Sequence, residues 1–250
     1  MRVIITGAAG EIGGQIVEEL SDSHELCLMD RRPVAGRMSI IADLSKSHSS
    51  MRWLRRMRVS EYPRWMEAFE GADVVLHLAV DQRRGVPEQQ RLFNNMQMTL
   101  NIMEAAIRHH VCRVVFASSN WAVKGTEREL APACYLPDGP KIGSDAPPRP
   151  ITAYGVAKAF GEISGRMAVD RSQLETFVAV RIGSFLPFPP EDERQTRWIG
   201  VQDVRSLLRR CVEAQFCGFH VVYGVSAQPT APYDLSHTRK LLCWQPKLLP

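Results

Sequence analysis

Tyr154 and Lys158 stand four residues apart in the segment Tyr154-Gly155-Val156-Ala157-Lys158. On a helix that spacing puts both side chains on one face. A phenol ionises near pH ~10, so a tyrosine that trades protons near neutrality needs a neighbouring positive charge to favour its phenolate. An ammonium one turn away is such a charge. Ser118 and Ser119 close the apolar run Val111–Ala117. Ser119 is the hydroxyl expected to hold a reacting oxygen beside the phenol, with Ser118 a turn residue or cofactor contact. The chemistry these residues suit is acid/base proton transfer at a hydroxyl-bearing carbon.

A second constellation lies at the N-terminus. Gly7, Gly10 and Gly13 fall between the apolar run Arg2–Thr6 and a stretch in which Ile12, Ile16, Val17 and Leu20 recur at helical spacing. The first glycine lets the chain turn, the second admits backbone close to a pyrophosphate, and the third lets helix and sheet approach. The helix start then offers unpaired N–H groups and a partial positive charge to phosphates. Asp30 ends the next apolar run, Glu25–Met29, where a carboxylate accepts hydrogen bonds from an adenosine ribose. That favours NAD; NADP is the less favoured alternative, kept open by Arg31 and Arg32, which point either to a 2′-phosphate or to solvent. Asp43, in Ala42-Asp43-Leu44, either approaches the adenine or caps a helix. With such a dinucleotide bound, Lys158 would also reach its ribose.

Positioning these groups requires alternating strands and helices. Strands are predicted at Arg2–Thr6, Glu25–Met29, Ala72–Leu78, Val111–Ala117, Thr176–Ile182 and Phe219–Tyr223. Helices are predicted after the glycine loop, at Trp65–Phe69, Pro87–His109, Thr152–Val169 (Thr152 the N-cap), Val201–Ala214 and Ser236–Leu242. In the Pro87–His109 helix, Leu92, Met96, Thr99, Leu100, Met103 and Ile107 mark one face, read as core or helix-packing surface. Proline-rich Trp121–Pro150 and Pro187–Arg197 read as loops, the first with at most one short element. Arg52, Arg55, Arg56 and Arg58 read as a solvated helix face, and His77 as a packed core residue. The pattern predicts an α/β fold, a Rossmann-type doubly wound parallel sheet. Residues 1–183 form the dinucleotide-binding part, and 184–250 a small C-terminal substrate-binding region interleaved with the main sheet.

The bulk composition agrees. Of 250 residues, 31 are basic and 27 acidic, a balance that argues against nucleic-acid binding. The six cysteines form no C-x-x-C pair and no zinc pattern, so no metal is expected. No apolar run is long enough to span a membrane. Strand-like residues begin at Val3, leaving no room for a signal peptide, and reduced thiols fit a cytoplasmic location.

On these residues the chain resembles the extended short-chain dehydrogenase/reductases, the NAD-dependent epimerase/dehydratase group. The matching pieces are T-G-A-A-G-E-I-G, M-D, H-L-A, N-N-M-Q-M-T-L-N-I-M-E-A-A, Y-G-V-A-K, V-Q-D-V and L-L-C-W-Q-P. Within the group it looks most like uronate dehydrogenases, through V-V-F-A-S-S-N, Y-G-V-A-K-A-F-G-E, V-R-I-G-S-F and V-V-Y-G-V-S. The resemblance implies NAD-dependent oxidation of a sugar or sugar acid at its C1 hemiacetal, with Ser119, Tyr154 and Lys158 catalytic. It implies a cofactor site at Gly7, Gly10, Glu11, Ile12, Gly13, Asp30, Arg31, Asp43, Leu44, Leu78, Ala79, Val80, Ala117 and Ile182, with Asn95 bracing the active-site helix. It implies substrate contacts at Asn120 and Ser184, and a homodimer. Two departures bear on the substrate. Ala79-Val80-Asp81-Gln82 replaces a serine-bearing segment, and the family's carboxylate-binding arginine aligns with Glu193. Arg194, one position later, becomes the candidate anchor, and Arg197 the reserve.

Two other functions share these features. A nucleotide-sugar epimerase or dehydratase would use the same cofactor, but Asn120 stands where dehydratases carry an acid. A non-catalytic NAD(P)-sensing protein would not need the Tyr154/Lys158 pair.

Overall fold

The computed structural model describes residues 1–46 and 63–247; the Arg52–Arg58 cluster lies outside the described residues. Among the described residues nine strands occur in chain order: β1 (Arg2–Thr6), β2 (Glu25–Asp30), β3 (Ile40–Ile41), β4 (Val74–His77), β5 (Arg113–Ser119), β6 (Thr176–Ile182), β7 (Ser184–Phe185), β8 (Trp198–Ile199) and β9 (Gly218–Gly224). Seven of them build one sheet in the order β3-β2-β1-β4-β5-β6-β9, and every pairing is parallel. β7 and β8 pair separately. The helices are α1 (Glu11–Leu20), α2 (Glu88–Arg108), α3 (Lys124–Leu130), α4 (Ala153–Asp170), α5 (Val201–Glu213) and α6 (Ser236–Leu242). This is the doubly wound Rossmann-type fold. Residues beyond 183 supply β9 and α5 to it, so the C-terminal part is woven into the main sheet.

Both faces of a parallel sheet must be covered, and successive strand residues point to opposite faces. Val3, Ile5, Leu76, Val115, Val178 and Val180 meet Ile16, Val17 and Leu20 of α1 and Val204, Leu207 and Leu208 of α5. Ile4, Val75, Val114, Phe116, Phe177 and Ala179 meet Met98, Ile102 and Met103 of α2 and Ala168 of α4. The buried face of α2 shares Thr99 and Met103 with the predicted one and is otherwise turned from it. Leu100 is exposed, while Asn95, Met98, Asn101, Ile102 and Ala105 are buried. Hydropathy discounts Asn and Ala, yet Asn101 is buried because its amide donates to the Leu44 and Lys46 carbonyls.

The stretch 121–150 carries more structure than expected. A 3₁₀ turn at Asn120–Val123, α3 and a further 3₁₀ turn at Ala133–Tyr135 follow one another. Glu127 organises it. Its buried carboxylate accepts from Lys124, Tyr135 (2.6 Å) and Tyr233 (2.6 Å). Burial alone would raise its pKa, and these hydrogen bonds more than offset that, so it titrates below its usual range. Pro187–Arg197 likewise holds a 3₁₀ turn at Glu193–Arg197.

The helix that carries the tyrosine is seated with little slack. Thr152 caps it by accepting from the Gly155 N–H at 3.1 Å. Gly161 and Gly165 face rings: a Cβ would stand 2.2 Å from Phe116 at the first and 2.3 Å from Phe177 at the second. Beside them Glu162 accepts from Arg181 (3.0 and 2.8 Å) and Ser118 (2.5 Å), all buried. Gly165→Ala is expected to push α4 off β6, destabilising the fold by about 1–3 kcal/mol, the usual cost of overpacking. A lower urea midpoint with an unchanged slope is the signature; an unchanged midpoint would show that the ring has room to move.

Candidate active site

β1 delivers the chain to a turn in which Gly7 adopts φ +74°, and a Cβ there would meet Ala79 N at 2.6 Å. Both facts demand glycine. At Gly13 a Cβ would lie 2.1 Å from the Gly7 carbonyl oxygen, so the third glycine allows the helix to close over the loop. α1 starts at Gly10 with no side-chain cap. Gly10, Glu11, Ile12 and Gly13 therefore present an uncapped helix start to a cavity of about 520 Å³. Its far wall is Ala117, Ser118, Ser119, Tyr154, Lys158 and Ile182. A second cavity shares Gly7, Gly10, Leu78 and Val80 with it and extends to Asp30, Arg31, Asp43, Leu44 and Ala79.

These two connected hollows fit a dinucleotide. The glycine cradle lies in the middle, a carboxylate at one end and the Tyr154/Lys158 pair at the other. Asp30 at the end of β2 accepts from Ala9 N (3.1 Å) and Arg32 N (3.0 Å), which fixes its carboxylate beside the glycine turn. Arg32 folds back to the Ala9 carbonyl, and Arg31 lies 3.8 Å from Asp81. NAD, held there by the glycine loop and Asp30, would supply a ring that accepts hydride.

At the chemical end, Ser119 closes β5 and Tyr154 opens α4. Both Ser119 and Gln82 hydrogen-bond the Tyr154 phenol. Burial pushes that phenol above its ordinary pKa, and hydrogen bonding to Ser119 and Gln82 pulls part of it back. Lys158 Nζ donates to the Ala117 carbonyl at 2.6 Å and sits 5.5 Å from the centroid of the Tyr154 ring. Burial lowers its own pKa to about 8. Ser119 and Gln82 lower the phenol's pKa, while Lys158 is held to β5 on the same face of α4 as the ring. His77 behaves as the predicted core residue. Burial and then Lys158 lower its pKa to about 3, so it stays neutral and shares a 2.7 Å hydrogen bond with Thr6.

Several candidate residues stand elsewhere. Asn95 braces the loop after β4, accepting from Asp81 N (2.7 Å) and donating to Asp81 O (3.2 Å), and does not brace α4. Asn120 is buried; its amide donates to Tyr233 and accepts from Ser119, so it supports the serine from behind. Ser184 lies in β7 opposite Trp198, between Gly183 and Phe185, which do line the large cavity. Arg194 sits on an exposed turn, paired with Asp192 at 2.7 Å and absent from the cavity walls. The adjacent carboxylate captures it. Arg197 is buried against Glu193 (3.1 Å) and Glu127 (3.8 Å).

Sequence reasoning missed two residues of the loop after β4. Gln82 reaches the phenol. Asp81 is buried, and Arg83 holds its carboxyl well below the usual range, with Asn94 assisting. The departure of this segment from the family pattern was the signal available.

Lys158 links the site to stability. A lysine whose folded pKa is depressed costs stability while charged in both states, and the cost fades as pH rises from the folded to the unfolded value. The shift from 10.5 to about 8 is worth about 3 kcal/mol at 1.36 kcal/mol per pH unit. Wild-type protein without cofactor is expected to gain stability relative to Lys158→Met between pH 8 and pH 10.5. Parallel stability curves from urea unfolding across that window would refute a strained ammonium.

The NAD dependent epimerase/dehydratase family model matches residues 3–199. An NAD-dependent glucose-6-phosphate dehydrogenase of Haloferax volcanii is 31% identical, over 98% of this chain and 92% of its own. A uronate dehydrogenase of Agrobacterium fabrum is 32% identical, over 98% and 84%. The crystal structure of a mutant uronate dehydrogenase from Agrobacterium tumefaciens complexed with NAD superposes with a TM-score of 0.77 at 30% identity, covering 99% of this chain and 84% of that one.

Proposed function

Because the chain belongs to the NAD-dependent epimerase/dehydratase family, we propose that it is an NAD-dependent dehydrogenase that oxidises a hydroxyl or hemiacetal of a sugar or sugar acid. The observation that carries this reading is the convergence of Tyr154, Ser119 and Lys158 on the hollow that begins at the uncapped glycine loop. The relatives named above, together with an L-arabinose 1-dehydrogenase of Haloferax volcanii (30% identical), support the class of substrate.

In this reading NAD, when bound, would supply the hydride acceptor, and the chain's own residues manage the proton. Ser119 holds the substrate oxygen beside the phenol. Tyr154, as phenolate, removes the hydroxyl proton while the carbon gives up its hydride. Ser119 and Gln82 stabilise the phenolate by hydrogen bonding. Lys158, anchored on the Ala117 carbonyl, orients the nicotinamide ribose, and its ammonium adds positive potential. The dehydratase alternative lacks an acid next to Ser119, because that position holds the amide Asn120.

Among the described residues no helix is long and apolar enough to cross a membrane, and the six cysteines are free, which supports a cytoplasmic enzyme. Phe93 and Leu100 of α2 and Ile163 and Met167 of α4 are exposed and apolar. A second copy covering them would give a homodimer. Light scattering is expected to return the mass of two chains, and a monomer at micromolar concentration would remove that assignment.

Incubated with NAD and a panel of aldoses, aldose phosphates and uronates, the protein is expected to accumulate NADH with at least one. Tyr154→Phe should lower kcat by ~10² to 10⁴-fold, the usual contribution of general acid/base catalysis, while NAD affinity stays within a few-fold. Full turnover by Tyr154→Phe would end this account. Substrate conversion without net NADH would point to an epimerase.

A further inference from the structure

Tyr154 and Gln82 face two hollows. One is the dinucleotide cavity described above; the other, of about 370 Å³, lies on their α2 side. Its volume falls within the ~300–1,000 Å³ of small-molecule sites. Asn95 forms part of the floor, and three charged side chains rim it: Arg84 from the loop after β4, and Glu88 and Arg91 from the first turn of α2. Asp81 also reaches this wall, but its charge is answered by Arg83 and Asn94.

The arginines of the neighbouring cavity and turn are spent. Arg83 and Arg31 face Asp81, Arg32 returns to the Ala9 carbonyl, and Arg194 and Arg197 are paired with Asp192 and Glu193. Among the described residues, the side chains of Arg84 and Arg91 show no ion pair or hydrogen bond. Two uncommitted guanidinium groups against one uncommitted carboxylate leave the rim net positive. A guanidinium's planar fork of donors matches a carboxylate or phosphate in geometry as well as charge. Glu88 and the Asn95 side chain add groups that sugar hydroxyls can bond.

We propose that this hollow is the substrate's subsite, and that Arg84 and Arg91 bind an oxyanion, carboxylate or phosphate, carried by the sugar. The reacting hydroxyl then lies against Tyr154 and Ser119. The proposal rests on the dehydrogenase reading above, but it moves the anion anchor from the turn at Arg194 to the rim formed by α2 and the loop after β4. Discrimination comes from the rim: a neutral aldose leaves both guanidinium groups without a partner.

The test uses three sugars, glucose 6-phosphate, glucuronate and glucose, with wild-type protein, Arg84→Ala, Arg91→Ala and Arg194→Ala. The wild type is expected to use at least one anionic sugar with a kcat/KM at least tenfold above that for glucose, and whichever anion is preferred identifies the source. Arg84→Ala and Arg91→Ala should each raise KM for that sugar about tenfold to a hundredfold, the usual loss for a charge-assisted hydrogen bond. Their kcat should stay within about threefold, the glucose kinetics unchanged, and Arg194→Ala should behave as wild type. Equal use of glucose, or a KM effect confined to Arg194→Ala, overturns the subsite and leaves the dehydrogenase reading standing. Should no sugar reduce NAD, that reading fails, and calorimetric titration with the same two anionic sugars decides the subsite by itself. Binding to wild type that is lost in Arg91→Ala sustains it, and no binding overturns it.

Discussion

The buried pair of Glu162 and Arg181 is the constraint on which the active site depends. A charge taken out of water is tolerated only when paired and fully hydrogen-bonded. Here Arg181 on β6 meets both oxygens of Glu162 on α4, and it also donates to Tyr223 at 3.1 Å and to the Ala146 carbonyl. Ser118 on β5 completes the carboxylate's partners. One helix, three strands and the long loop are therefore locked to a single point. Glu162 is one turn beyond Lys158 and two beyond Tyr154. Fixing it sets how far along the sheet, and at what rotation, the phenol and the ammonium emerge. Gly161 and Gly165 set the remaining coordinate, the height of the helix above the rings of Phe116 and Phe177.

What was legible in the sequence was whatever is decided locally. The glycine turn, Asp30 at the end of β2, the Thr152 cap and the Tyr154/Lys158 spacing each depend on residues within a few positions, and each stands as expected. The six predicted strands end within about two residues of those observed, because apolar runs buried on both faces are hard to mistake, whereas the two-residue strands β3, β7 and β8 were not foreseen. What could not be read was decided by partners far along the chain. Tyr233, more than a hundred residues after Asn120, accepts from its amide. Asn101 was not among the residues marked on the α2 face, and the carbonyls of residues 44 and 46 draw it inside. The spacing placed Lys158 beside the phenol, but it did not show the Ala117 carbonyl that holds it or the approach of Gln82 from a distant loop.

The loop after β4 joins two jobs usually kept apart. Asp81 ties Arg83 and Arg31 near the nucleotide end, and its own backbone is pinned by Asn95 of α2. The next residue, Gln82, touches the phenol. A displacement at either end of this short segment is felt at the other, because Asp81 is buried and leaves no slack between them.

The strand order has a consequence for how the molecule is made. β1 is laid down first, and each later strand of the large sheet joins an edge already present: β2 and β3 outward on one side, then β4, β5, β6 and β9 on the other. No strand has to be inserted between two that are already joined. A chain leaving the ribosome, which grows by about 5–20 residues per second, can thus extend its sheet in the order of synthesis. The phosphate cradle is laid down while the helix bearing Tyr154 is still to be translated, so the oldest part of each new molecule receives the nucleotide and a later one performs the proton transfer.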